Sequence, residues 1–131
     1  MARVLALVPD LLFGSRVQGA LTAAGHDVEL IGEERKLRDL LADPEVPPAA
    51  VIVVDLTDEE LGGAGILESL SQGGGLGASR TLAFYSHVDG PARERAERAG
   101  FDLVVPRSRM AREGPELVAR LAGAGAPTSP E

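Results

Sequence analysis

Five short apolar or alternating runs recur along the chain, and most are followed by segments in which apolar residues return every third or fourth position. Val4 to Val8 is continuously apolar, the pattern of a strand covered on both faces. Val17, Ala20, Leu21 and Ala24 then predict a helix over Leu12 to Ala24, stopped by Gly25. Asp27-Val28-Glu29-Leu30-Ile31 alternates polar and apolar, as a half-exposed edge strand does. Leu37, Leu40 and Leu41 mark a short amphipathic helix, and the proline-rich stretch Asp43 to Pro48 reads as a loop. Val51 to Val54, fully apolar, predicts a central strand that ends at Asp55. A helix is expected from Leu61 to Leu70, then a flexible glycine-rich connection from Gln72 to Gly77. Thr81 to Tyr85 is the fourth strand. Pro91 suits the first turn of a helix that runs to Ala99 and stops at Gly100. Leu103-Val104-Val105 is the fifth strand, and a last helix is expected around Glu116 to Leu121.

This strict alternation predicts an α/β fold of three layers: a doubly wound, five-stranded parallel sheet with right-handed crossovers and helices on both faces. An edge-type second strand and a central third strand fit the order 2-1-3-4-5, the flavodoxin-like arrangement. One domain over residues 1–123 is expected, with residues 124–131 as a disordered tail rich in Ala, Gly, Pro and Ser. Ligands of such sheets sit beyond the carboxyl ends of the strands. That directs attention to Asp10, Asp55, Ser86, His87, Arg107 and Ser108.

Composition removes several classes of function. The chain of 131 residues has no cysteine, which excludes disulfides, thiolate zinc sites, iron–sulfur clusters and a cysteine nucleophile. His26 and His87 are its only histidines, too few for a histidine-dominated metal site. A net charge of −7 and 3% aromatic residues speak against a nucleic-acid surface. No run approaches the roughly 20 apolar residues of a membrane span, and Val4 to Val8 is too short for a signal-peptide core. A cytoplasmic location with no membrane partner is the expectation.

The charge is unevenly spread. Residues 1–79 hold five basic residues against thirteen acids, a balance of −8, whereas residues 80–120 hold eight arginines against six acids, a balance of +2. Asp55, Asp58, Glu59 and Glu60 concentrate acid after the third strand, and Arg93, Arg95, Arg98, Arg107, Arg109 and Arg112 concentrate base from the fourth helix to the fifth. Each such residue also has a local reading. Asp10 and Asp55 can cap a helix or turn. Ser86 and His87 can be plain loop residues, Ser108 a cap, and Arg107 a partner for Asp102 or strand-end carbonyls. The arginines can pair along a helix, as Glu94 with Arg98.

The element order and strand-end residues resemble the receiver domain of bacterial response regulators over about residues 2–122. In that family two adjacent acids follow the first strand, where this chain has Pro9 and Asp10. The phospho-accepting aspartate maps to Asp55, and the glycine eight residues later is kept as Gly63, with Glu59 in place of the usual proline. The switch Thr/Ser maps to Ser86. The lysine that meets the phosphoryl group maps to Arg107, followed by Ser108 where the family has proline. The string Ser86-His87-Val88-Asp89 with Pro106-Arg107-Ser108 also resembles that of small, uncharacterised receiver-like bacterial proteins.

The resemblance implies a stand-alone, atypical receiver module of two-component signalling, with no enzymatic turnover beyond self-phosphorylation at Asp55. It implies weak magnesium binding by Asp10, Asp55 and Thr57. It further implies a protein partner or homodimer on the face from the fourth to the fifth helix, carrying Arg93, Arg95, Arg98, Arg109 and Arg112. Arg107, with its planar guanidinium, is expected to pair with Asp55 and hold the site in one state. Lys36, the only lysine, lies on the predicted second helix and cannot easily substitute. A small-molecule-binding or enzymatic domain on a flavodoxin-like fold is the alternative. The loop after the first strand has neither the Ser/Thr-rich phosphate cradle of flavin binders nor the dinucleotide glycine pattern, and Leu12 stands at the histidine position of cobalamin domains.

Overall fold

The computed structural model describes residues 2–86 and 88–124. His87 and residues 125–131 of the expected tail lie outside the described residues. The strands are β1 (Arg3–Leu7), β2 (Asp27–Ile31), β3 (Val51–Asp55), β4 (Arg80–Tyr85) and β5 (Leu103–Pro106). The helices between and after them are α1 (Leu11–Ala23), α2 (Glu34–Ala42), α3 (Gly63–Gln72), α4 (Gly90–Ala99) and α5 (Arg107–Ala124). All four strand pairings are parallel and the sheet order is β2-β1-β3-β4-β5, as the alternation predicts.

Each buried strand divides its side chains between two cores, because successive residues point to opposite faces. Val4, Ala6 and Val8 join Val51, Val53, Leu82 and Phe84 beneath Phe13, Val17 and Leu21 of α1 and Met110, Leu117 and Val118 of α5. Leu5, Leu7, Ile52, Val54 and Ala83 pack on the other face against Leu37 of α2, Ile66, Leu67 and Leu70 of α3, and Ala96 and Ala99 of α4. By the same parity Asp55 follows Val51 and Val53, so its side chain falls on the α1/α5 side of the sheet.

Two helix starts differ most from the sequence reading, for local reasons, while α1 (Leu11–Ala23) and the end of α3 at Gln72 shift by one or two residues. Helix α3 starts at Gly63 instead of Leu61, after Gly62 in the left-handed region at φ 65°. At Gly63 a Cβ would lie 2.7 Å from Val54 Cγ1 and 2.9 Å from Leu56 Cδ2, so only glycine lets α3 start this close to the end of β3. Helix α5 starts at Arg107, well before Glu116, and passes through Pro115, which removes one backbone donor from the helix interior. It also continues through Ala124, one residue past the expected domain end.

Candidate functional site

Four chain segments meet at the carboxyl rim of the sheet. Asp10 follows β1 and caps α1: its Oδ1 accepts from the backbone N–H groups of Leu12 (3.0 Å) and Phe13 (3.1 Å). Asp55 is the last residue of β3 and is 1% exposed, one of two buried polar or charged residues among those described. Ser86 follows β4, and Arg107 opens α5 directly after β5.

Asp55 is held by its own turn. Its Oδ1 accepts from the Thr57 backbone N–H (2.7 Å) and the Thr57 hydroxyl (2.6 Å), while no hydrogen bond occupies Oδ2 among the described residues. Burial raises the Asp55 pKa above the ordinary carboxylate range; the Thr57 bonds and the charge of Arg107 pull against that rise, and Asp58 adds to it. An acid kept this way is a more basic, less hydrated carboxylate than an exposed one.

Thr57 stands between two adjoining clefts. Pro9, Asp10, Asp55, Asp58, Glu59 and Glu60 line the acidic one with it. On its other side Phe13, Arg16, Ser86, Arg107, Ser108 and Ala111 line the second. The predicted group Asp10, Asp55, Ser86 and Arg107 is therefore brought to one rim. Asp58 bonds its own turn, through the N–H groups of Glu60 (3.0 Å) and Leu61 (3.2 Å).

Arg107 corrects one expectation. Its guanidinium Nη2 donates to Asp10 Oδ2 at 3.4 Å, not to Asp55, and its Cζ lies 4.2 Å from the centroid of the Phe13 ring. Asp102 is not its partner either: that carboxylate accepts from Thr81 (backbone 2.8 Å, hydroxyl 3.2 Å) and faces Arg80 at 3.7 Å. Ser108 lies inside α5 rather than capping it.

The basic residues proposed for a partner face separate into different surroundings. Arg95 donates a two-pronged bond to Glu68 of α3 (2.6 and 2.7 Å) and so turns toward α3; those bonds hold Glu68 below the usual carboxylate range. Arg93 pairs with Glu97 at 3.3 Å, where Glu94 with Arg98 was the expected pair. Arg109 (3.2 Å) and Arg112 (3.5 Å) both meet Glu113. Arg98 is exposed, with no ion pair among the described residues.

Magnesium typically asks for one or two carboxylates plus water and phosphate oxygens. Asp10 and Asp55, with Thr57 beside them, meet that lower bound. Among the described residues no group of three or more His, Asp or Glu is placed to hold a metal ion. The positive charge that the structure does place on Asp10 is a guanidinium. Thr57 as the clamp on Asp55, and Phe13 as the shelf under Arg107, were not read from the sequence. A threonine two residues after an aspartate is the available signal for the first.

No protein-family model matches the sequence, and comparison with curated proteins finds no relative. Solved structures do match. The receiver domain of response regulator 1452 of Francisella superposes at TM-score 0.81, with 15% identity over 96% of this chain and 100% of that one. A structure described as FixJ-N gives 0.80, with 17% identity and 98% of each chain covered. The receiver domain of a sensor histidine kinase from Pseudomonas aeruginosa, with magnesium coordinated in its active-site cleft, gives 0.78, with 15% identity over 93% of this chain and 98% of that one. Among the described residues no helix is long and apolar enough to cross a membrane. Strand order, crossovers and near-complete mutual coverage agree, and the chain has the fold of a response-regulator receiver domain.

Proposed function

We propose that the chain is an atypical receiver module that takes a phosphoryl group on Asp55 and signals by docking to a partner protein or to a second copy of itself. The observation that carries this reading is the state of Asp55: buried at the end of the central strand, clamped on Oδ1, with Oδ2 unbonded among the described residues and beside an open cleft. Such a carboxylate is positioned and incompletely solvated, which suits a nucleophile.

In the step envisaged, Asp55 Oδ2 attacks the phosphorus of an acyl phosphate in line with the leaving oxygen. A new P–O bond forms, the P–O bond to the acyl group breaks, and the carboxylate leaving group departs with the electron pair. The product is an aspartyl phosphate. The Ser86 hydroxyl and the Arg107 guanidinium line the adjoining cleft and are the groups assigned to the phosphoryl oxygens in this reading. Magnesium, held by Asp10, Asp55 and Thr57, would offset the charge of the transferred group. With one acid fewer than the family pattern, owing to Pro9, that binding is expected to be weak.

The docking face is expected along α4, β5 and α5, where Arg98 has no ion pair among the described residues and Arg109 and Arg112 share a single acid. Turnover of a small-molecule substrate is not part of this reading.

Incubation with acetyl phosphate and magnesium, read by intact mass, tests the acceptor. A phosphoryl adduct on the native chain that disappears in Asp55→Ala supports it. No adduct on the native chain removes the phosphoryl step.

A further inference from the structure

Asp10 gives its two oxygens different duties. Oδ1 accepts the Leu12 and Phe13 N–H groups at the start of α1, and Oδ2 faces Arg107 Nη2 at 3.4 Å. The guanidinium is also seated on Phe13, 4.2 Å from the ring centroid, and Phe13 is itself fixed in the core against Phe84, with centroids 5.1 Å apart. Arg107 is thus held from two directions, by a carboxylate and by a ring that belongs to a rigid element. A planar cation can lie on a ring while its edge donates hydrogen bonds; a lysine ammonium has no such flat face. The pair is about half exposed, so water can separate it.

We propose that Arg107 is an internal cation that occupies Asp10 in place of a divalent metal, so that metal enters the Asp10–Asp55 cleft only by displacing the guanidinium. Two consequences follow from charge alone. Arg107 already neutralises much of the charge that Asp10 Oδ2 would offer a metal, and two cations brought to one carboxylate repel. The native chain therefore binds divalent ions less well than its two carboxylates allow, and Arg107 acts as a built-in competitor. This inference rests on the same cleft as the phosphoryl reading but not on transfer taking place.

The test is a manganese titration followed by the electron-paramagnetic signal of the free ion, with manganese alone as the probe, on the native chain, Arg107→Gln, Arg107→Lys and Arg16→Gln. Arg16 lines the adjoining cleft and makes no bond to Asp10, so its variant measures the effect of removing general positive charge. Arg107→Gln is expected to bind manganese about tenfold more tightly, Arg107→Lys to fall between it and the native chain, and Arg16→Gln to stay within about twofold of native. Equal or weaker binding in Arg107→Gln overturns the proposal. So does an Arg16→Gln gain as large as that of Arg107→Gln, or the absence of measurable binding in every variant. Far-ultraviolet circular dichroism confirms the fold of each variant. The acetyl phosphate experiment answers separately: an adduct without the manganese effect sinks this inference alone, and the manganese effect without an adduct sinks only the phosphoryl step.

Discussion

The two ends of the sheet are built from different chemistry although the same five strands reach both. At the carboxyl end the chain enters helices, so unpaired backbone N–H groups collect there and acids satisfy them: Asp10 at α1 and Asp89, whose carboxylate accepts from Ala92 N at 3.0 Å, at α4. At the amino end the helices stop and their carbonyls are closed by turns. Gly25 (φ 95°) follows α1 and Gly100 (φ 104°) ends α4. A groove there is walled by the loop from Asp43 to Pro48 and the segment from Gly74 to Ser79, and the Ser79 hydroxyl is already spent on the Ala49 carbonyl at 2.7 Å. The amino end finishes helices and pairs its charges with its own neighbours, as Asp102 with Thr81 and Arg80, whereas the carboxyl end gathers carboxylates, three hydroxyls and two arginines around open clefts. Direction of chain travel, more than composition, decides where chemistry can reside in such a sheet.

Gly63→Val is the most severe way to break that contrast. It forces a side chain into Val54 and Leu56 at the carboxyl end and should cost about 3 kcal/mol in urea unfolding. Asp55→Asn acts in the opposite direction. Because burial raises the native pKa of Asp55, the folded chain binds its proton more tightly than the unfolded chain does, so this group's contribution to stability declines as pH rises through that window. The variant should melt above the native chain at pH 7.5, and the gap should close as pH falls below the ordinary carboxylate range. Calorimetry at a series of pH values checks this. Asp10→Ala removes the α1 cap and should lose about 1 kcal/mol. Arg93→Gln breaks an exposed pair with Glu97 and a contact with Tyr85, and should change unfolding free energy by less than about 0.5 kcal/mol.

Much of the fold was legible because each element signals itself locally. Val51 to Val54 is apolar on both sides since helices cover both faces, and Asp27 to Ile31 alternates since β2 is an edge. The start of α5 was not legible: Pro106, Arg107 and Ser108 give no apolar period, and Pro115 looks like a break although the helix passes through it. At the site, the order of elements was enough to bring Asp10, Asp55, Ser86 and Arg107 to one rim. Which acid Arg107 meets was beyond that reasoning, because both lie near it and the choice is made by Phe13, a core residue three positions past Asp10. The fork between Arg95 and Glu68 spans 27 positions and two helices, and no periodicity announces such a pair.

That fork has a mechanical meaning. Two charged hydrogen bonds of 2.6 and 2.7 Å couple α3 to α4, so a rotation of α4 either pulls Glu68 with it or pulls the prongs apart. Helix α3 begins directly after the acidic lip formed by Asp58, Glu59 and Glu60. The arginine-bearing helix is thereby joined, through a single carboxylate, to the helix that follows the loop beside Asp55.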